Sequence, residues 1–365
     1  MDERIRIVII GTGKRSSYLY GPLLKILKDE VEFVGVWGRS ENKARELGDE
    51  FHVPWFTNME QLIDKTMPQA AIVNVAYAAN GEVGRRVIES GLHALLETPI
   101  AHELKDADAI ISGAKERNLK VEVAEQYYRR PMERLKRMLI QAGVFGQVNT
   151  AYNDFMGHGY HGMSLIRSYI GFEIPIISVN GATAQYQTAP HYAWISGNHG
   201  PRQENWEQAV LHFNDNRLGI FNWTNIAYDS PLRWLRSTKF FAEKGMATGD
   251  RLTVLTPDGK DPQPIEIERS IHNIGGMETL SELVAHTNPE IVWRNPFRAY
   301  YMDDEMIAVA SCLMSLVLAI RQDIQPEYGP EQARLDQEAT LAMYASAQQG
   351  GVPVKLERGY AKMTK

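Results

Sequence analysis

The chain has 365 residues, 44% hydrophobic and 23% charged, a balance that excludes disordered, collagen-like and coiled-coil architectures. At roughly 150 residues per domain, the length predicts about two domains, each able to bury a core. With 39 basic and 45 acidic side chains the formal charge is −6, which argues against nucleic acid or anionic membrane as partners and favours small molecules.

At the start of the chain, Asp2 and Glu3 put acids where a signal peptide needs positive charge. The longest apolar run, 306–320, lies between Glu305 and Arg321 and is shorter than the roughly 18 residues that span a bilayer. The single cysteine, Cys312, cannot form an intrachain disulfide and falls in that apolar run, as a buried thiol in a reducing compartment would. A cytoplasmic location is expected.

The first third alternates strand and helix signals, the pattern of a parallel sheet covered by helices. Strands are predicted at 6–10, 33–37, 71–75, 94–96 and 121–124. Between them, Val83, Val87 and Ile88 share one helical face before Gly91, and Leu104, Ala107, Ile110, Ile111 and Ala114 repeat that spacing. After Tyr127, Met132, Leu135, Met138 and Leu139 mark a helix that stops at Gly143, and Leu165, Ile166, Tyr169 and Ile170 mark another that stops at Gly171. Hairpins follow at 209–223, around Asn214 to Arg217, and at 252–267, around Thr256-Pro257-Asp258-Gly259, which implies an antiparallel sheet. Helices over 303–321 and 330–349 close the chain.

Gly11-Thr12-Gly13-Lys14-Arg15-Ser16 follows the first strand directly. Two glycines there permit a tight turn and close approach of a pyrophosphate to the next helix; a small serine stands where a third glycine is usual. An ordinary strand-to-helix turn is the alternative. The second predicted strand ends in Trp37-Gly38-Arg39-Ser40, with no acid to bind a ribose 2′-hydroxyl, whereas Arg39 can pair with a 2′-phosphate and Ser40 can donate to it. NADP(H) is therefore expected as cofactor, and the nearby Glu41 leaves room for NAD(H).

Together with that turn, Ile88-Glu89-Ser90-Gly91-Leu92-His93-Ala94-Leu95-Leu96-Glu97-Thr98-Pro99, the segment 157–171 and the final Gly350-Gly351-Val352-Pro353-Val354 resemble the glucose-fructose oxidoreductase / inositol dehydrogenase family. The resemblance implies an α/β protein: a Rossmann dinucleotide-binding domain over 1–126, then an α/β domain over 127–365 with a large, mainly antiparallel open sheet used for homodimers or homotetramers. It also implies that the last helix packs back on the Rossmann domain. The usual chemistry moves hydride to or from a hydroxyl carbon of a carbohydrate, cyclitol or glycoside.

The resemblance places Ala76, Asn80, Glu97, Thr98 and Pro99 with Gly11 to Ser16, Trp37, Arg39 and Ser40 at the cofactor. Three departures matter. Thr98 stands where a Glu-Lys-Pro motif has its lysine, Gly157 where an aspartate is usual, and 76–81 lacks a Thr-Pro and histidine motif. Thr98 can orient a substrate but cannot titrate near neutral pH. His161 matches the family histidine and can carry a proton. His158 and Tyr160 are further catalytic candidates, and Thr98, Tyr128, Arg129, His158, Tyr160, His161 and Trp194 are candidate substrate contacts. Packing is the alternative for each.

Four of the ten histidines, His158, His161, His191 and His199, fall between Asp154 and Gly200. His158-x-x-His161 lacks a third nearby ligand and no cysteine assists, so no metal is expected. The stretch 185–206, with Trp194 and Trp206, has the composition of a loop that covers a sugar. Two further readings stay open: sugar cleavage or elimination through transient oxidation with retained nucleotide, and a nucleotide-binding regulatory protein that has lost its catalytic set.

Overall fold

The computed structural model describes residues 4–194, 196–231 and 236–358. The acidic start at Asp2 and Glu3 and the outer ends of both expected domains lie outside them. The chain forms two compact units, one from Met1–Gln126 and Ala299–Arg334, the other from Tyr127–Arg298 and Leu335–Lys365. Among the described residues no helix is long and apolar enough to cross a membrane.

In the first unit six parallel strands lie in the spatial order Trp55–Phe56, Val31–Trp37, Ile5–Ile10, Ala70–Val73, His93–Leu96 and Val121–Val123. Ile7, Val8, Ile9 and Ile10 are wholly buried, as are all four residues of Ala70–Val73. Such continuous apolar runs belong to strands covered on both faces. The Glu41–Phe51 helix sets Leu47 and Phe51 on Val36, and the Asn80–Glu89 helix buries Val83, Val87 and Ile88.

The Asp304–Gln322 helix also belongs to this unit and contacts the His93–Leu96 and Val121–Val123 strands. Its Ser315 hydroxyl donates to the fully buried Glu122 at 2.5 Å, a donor that a carboxylate inside a sheet requires. The last helix, Pro330–Gln348, has its first turn in this unit, with Arg334 on Asp108 (Nε to Oδ1 2.6 Å), and from Leu335 onward belongs to the second unit, where Asp336 pairs with the buried Arg167 at 2.9 Å.

The second unit is built on a nine-stranded sheet in the order Pro262–Ile265, Arg251–Leu255, Gly245–Thr248, Ser237–Ala242, Val148–Asp154, Leu218–Thr224, Gln203–Phe213, Ile176–Gln187 and Val354–Lys355. All neighbours are antiparallel except Val148–Asp154 with Leu218–Thr224. A three-stranded sheet, Ile267–Ile274, Met277–Ala285 and Ile291–Arg294, accompanies it.

One face of the large sheet is covered. A Cβ on Gly162 of the Gly159–Ile170 helix would lie 2.4 Å from Phe221, and a Cβ on Gly181 would lie 2.0 Å from the Met343 carbonyl oxygen, so both helices rest on strands too closely for any side chain at these positions. Residues of opposite parity, including Tyr152, Tyr186, Phe241 and Met246, form the other face, where Tyr186, Phe241 and Met246 are exposed.

Candidate functional site

Strand order in the first unit reverses between Ile5–Ile10 and Ala70–Val73, and such a switch point opens a crevice beyond the carboxyl ends of the strands. Gly11 and Asn74 stand there. Gly11 has φ 120, and a Cβ on it would fall 1.9 Å from the Asn74 carbonyl oxygen. Ser16 closes the turn: its hydroxyl donates to the Gly11 carbonyl at 2.9 Å and accepts from Asn74 Nδ2 at 2.8 Å. It is wholly buried, so it shapes the cradle rather than touching a ligand.

A cavity of about 770 Å³ occupies this crevice. At one end it is lined by Gly11, Thr12, Gly13, Lys14 and Arg15, at the other by Trp37, Arg39 and Ser40, with Ala76 along its wall. Sequence reasoning missed Gly38, Lys43, Asn74 and Val75, which also line it. Lys43 was within reach, three residues after Ser40 and thus on the same side of the Glu41–Phe51 helix start. Ser40 precedes that helix without spending its hydroxyl on a cap, and Arg39, Ser40 and Lys43 are exposed. Glu41 is not among the lining residues.

Arg15 is fixed by a carboxylate. Glu97 Oε1 accepts from Arg15 Nε at 2.7 Å and from the Tyr20 hydroxyl at 2.6 Å, and Oε2 accepts from the Thr98 amide at 3.2 Å. Burial opposes the charge on Arg15, but Glu97 outweighs it and holds the guanidinium charged; burial and Glu97 together keep the Tyr20 phenol protonated. Arg15 Nη2 is buried without a hydrogen-bond partner, a donor that costs free energy until an acceptor meets it. A diphosphate or carboxamide oxygen is such an acceptor, so the residues present fit a dinucleotide.

Asn80, Glu97, Thr98 and Pro99 do not line the cavity. Asn80 Nδ2 donates to the carbonyls of Glu97 (2.6 Å) and Pro99 (2.5 Å), which pins the 97–99 segment, and Glu97 acts through Arg15.

In the second unit His158, Tyr160 and His161 come together at the start of the Gly159–Ile170 helix. The His161 ring centroid lies 4.9 Å from His158, 4.6 Å from Tyr160 and 4.5 Å from Tyr127, while His158 is 5.7 Å from Trp223. Arg130 covers the Tyr127 ring at 4.7 Å. Tyr127 and Trp223 were not singled out from the sequence, since an aromatic residue in a short 3-10 turn or a strand gives no local sign of what it meets. Tyr128 and Arg129 are wholly buried: Phe172 meets the Tyr128 ring edge-on at 5.1 Å, and Arg129, Arg134 and Arg137 lie over that ring. Trp194 is 48% exposed in the loop between the short strands His191–Tyr192 and His199–Gly200. Among the described residues no group of three or more His, Cys, Asp or Glu could hold a metal ion.

Burial, assisted by His161, lowers the His158 pKa to about 3, so His158 serves as a neutral hydrogen-bonding ring and not as a proton donor near pH 7. Above pH 6.5 neither folded nor unfolded chain protonates it, and it does not affect stability. Below that, the unfolded chain takes up a proton that the folded chain refuses, so stability falls as pH drops toward 3, by on the order of 3 kcal/mol at pH 4.5. His158→Asn should remove this component: denaturant unfolding at pH 7 and 4.5 should show a smaller loss for the variant than for the wild type, and equal losses would contradict the assignment.

Residues 5–125 match the family model described as oxidoreductase family, NAD-binding Rossmann fold. Oxidoreductase P35 of Formosa agariphila is 29% identical over 154 residues, 41% of this chain and 47% of that protein. The chain thus spans about half or less of the curated relatives it matches. Over almost the whole chain, the fold is that of an oxidoreductase from Agrobacterium radiobacter solved with NAD+, L-tartaric acid and magnesium (TM-score 0.71, 13% identity, 97% of this chain and 98% of that one). It is also that of the WlbA dehydrogenase of Chromobacterium violaceum solved with NADH and UDP-GlcNAcA (TM-score 0.69, 17% identity, 99% and 98%).

Proposed function

We propose that the protein, whose residues 5–125 match the model of an oxidoreductase family with an NAD-binding Rossmann fold, is an NADP-preferring oxidoreductase acting on a hydroxyl or keto carbon of a carbohydrate, cyclitol or glycoside. The observation that carries the reading is the switch-point cavity, with Gly11 pressed on Asn74 at one end and Arg39, Ser40 and Lys43 at the other. Two cations and a hydroxyl suit a 2′-phosphate, and among the described residues no acid lines the cavity to take a 2′-hydroxyl. The sugar-related ligand of the WlbA structure supports the substrate class.

When bound, the nicotinamide accepts or supplies the hydride. The chain's own residues do the rest. Arg15, held by Glu97, grips an oxygen of the dinucleotide and gives the reacting end a fixed positive charge where Thr98 replaces the usual lysine. His161 takes the hydroxyl proton as the carbon is oxidised and returns it in the reverse direction. Tyr160 and the neutral His158 orient the substrate hydroxyls beside it. Cytoplasmic residence and self-association through the part of the uncovered sheet face that carries exposed Phe241 and Met246 belong to the same reading.

Arg39→Ala tests the cofactor choice. Loss of one charge-assisted contact to phosphate, worth about 1.5–3 kcal/mol, should weaken NADPH binding by roughly tenfold or more while NADH binding changes less than about twofold. Equal losses for both nucleotides would remove the phosphate-reading role.

A further inference from the structure

The large sheet of the second unit carries a cavity used by neither the switch-point cleft nor the histidine cluster. Strand alternation places it. Gly219, Phe221 and Trp223 face the Gly159–Ile170 helix: a Cβ on Gly219 would lie 2.5 Å from Ile166, Phe221 crowds Gly162, and Trp223 meets His158. Thr224 follows Trp223 and points to the other face, and Trp206, its partner across the ladder, shares that face.

Phe155 has φ 59, a region that a bulky residue rarely enters. Its ring meets Trp206 edge-on at 5.1 Å. A cavity of about 510 Å³ opens beside these two rings.

Two of its polar side chains, His191 and Glu204, offer acceptor atoms beside the hydroxyls of Thr188, Thr224 and Ser230. His191 Nδ1 lies 3.1 Å from the Ala189 carbonyl oxygen, which can only accept, so Nδ1 carries a proton and the neutral ring presents Nε2 as an acceptor. Nε2 is buried and has no hydrogen-bond partner in the fold. Glu204 accepts from the Thr224 hydroxyl at 2.5 Å and, as a carboxylate, has further lone pairs to offer. Among the described lining residues there is no lysine or arginine, and Phe155, Trp206 and Ile226 supply an apolar wall. An anion would meet Glu204 unbalanced. A ligand with several hydroxyl donors and one apolar face satisfies all of these groups.

We propose that this cavity binds a neutral sugar ring, on the face of the sheet opposite His158 and His161, with ring hydroxyls donating to His191 Nε2 and Glu204 and a C–H face on Trp206 and Phe155. The site is separate from the proton-transfer cluster and does not depend on hydride chemistry, so it is tested without nucleotide.

Saturation-transfer NMR with the methyl pyranosides of glucose, galactose, mannose and xylose reads binding on the full chain. At least one should bind, His191→Ala and Glu204→Gln should each weaken it tenfold or more, and His161→Gln should leave it within twofold. Unchanged denaturant midpoints would show that the two cavity variants remain folded; if His191→Ala does not fold, the conservative Glu204→Gln carries the test alone. Binding by none of the four sugars would overturn the proposal. So would binding lost in His161→Gln but kept in the cavity variants, tighter binding of glucuronate than of the glucoside, or a cavity variant that changes only the sedimentation mass, which would make the cavity a contact between copies of this chain.

Discussion

Gly11→Ala should abolish dinucleotide binding and destabilise the protein by about 2–4 kcal/mol, because the new Cβ meets two penalties at once. The backbone there has φ 120, which an alanine adopts only with strain of about 1–3 kcal/mol. The Cβ would also sit 1.9 Å from the Asn74 carbonyl oxygen, so the ends of the Ile5–Ile10 and Ala70–Val73 strands must part and open the switch point. Gly13 provides the contrast. A Cβ there would be 3.9 Å from Asn74 Nδ2, an ordinary contact, so Gly13→Ala should cost less than about 1 kcal/mol of stability while its methyl group intrudes on the cavity. Denaturant unfolding and nucleotide titration of the two variants separate the effects, and equal stability of Gly11→Ala and Gly13→Ala would contradict the close approach.

His161→Gln should lower turnover by about 10²–10⁴-fold, the usual size of a lost general acid or base, while NADPH affinity stays within twofold. Glutamine fills similar volume and hydrogen-bonds but cannot exchange a proton near neutrality, so it separates proton transfer from packing of the buried ring against Tyr127 and Tyr160. Thr98 cannot substitute, having no neutral-range titration, and His158 cannot, being held neutral by burial. Tyr160→Phe should raise KM more than it lowers kcat if the hydroxyl only orients substrate. Turnover of His161→Gln at the wild-type rate would withdraw its role and favour a purely nucleotide-binding protein.

The parallel half of the fold was legible because buried strands such as Ile5–Ile10 and Ala70–Val73 are continuous apolar runs and the glycine turn follows the first of them. The two-residue Trp55–Phe56 strand was not, since so short a segment has no periodicity. Hairpins at Gln203–Phe213 with Leu218–Thr224 and at Arg251–Leu255 with Pro262–Ile265 carried turn residues that announced them. The Ile267–Ile274 strand has no buried residue and Met277–Ala285 buries Thr279 and Leu280 in succession, so the pair lacks a clean apolar alternation and went unread.

The glycine end of the switch-point cavity was explicit in sequence, and Lys43 could be reached by helical spacing from Ser40, whereas Asn74 emerges only when separate strand ends meet. Likewise the pairing of Arg15 with Glu97 joins residues 82 positions apart, and no local pattern encodes it. The direction of the His158 shift depends on burial, a tertiary property.

The central claim is that the first unit holds a dinucleotide and reads its 2′-phosphate. Parallel fluorescence titrations of the purified protein with NADPH and NADH, after identification of any nucleotide released on denaturation, address it most directly. Tighter binding of NADPH is the predicted result; binding of neither nucleotide would contradict the account.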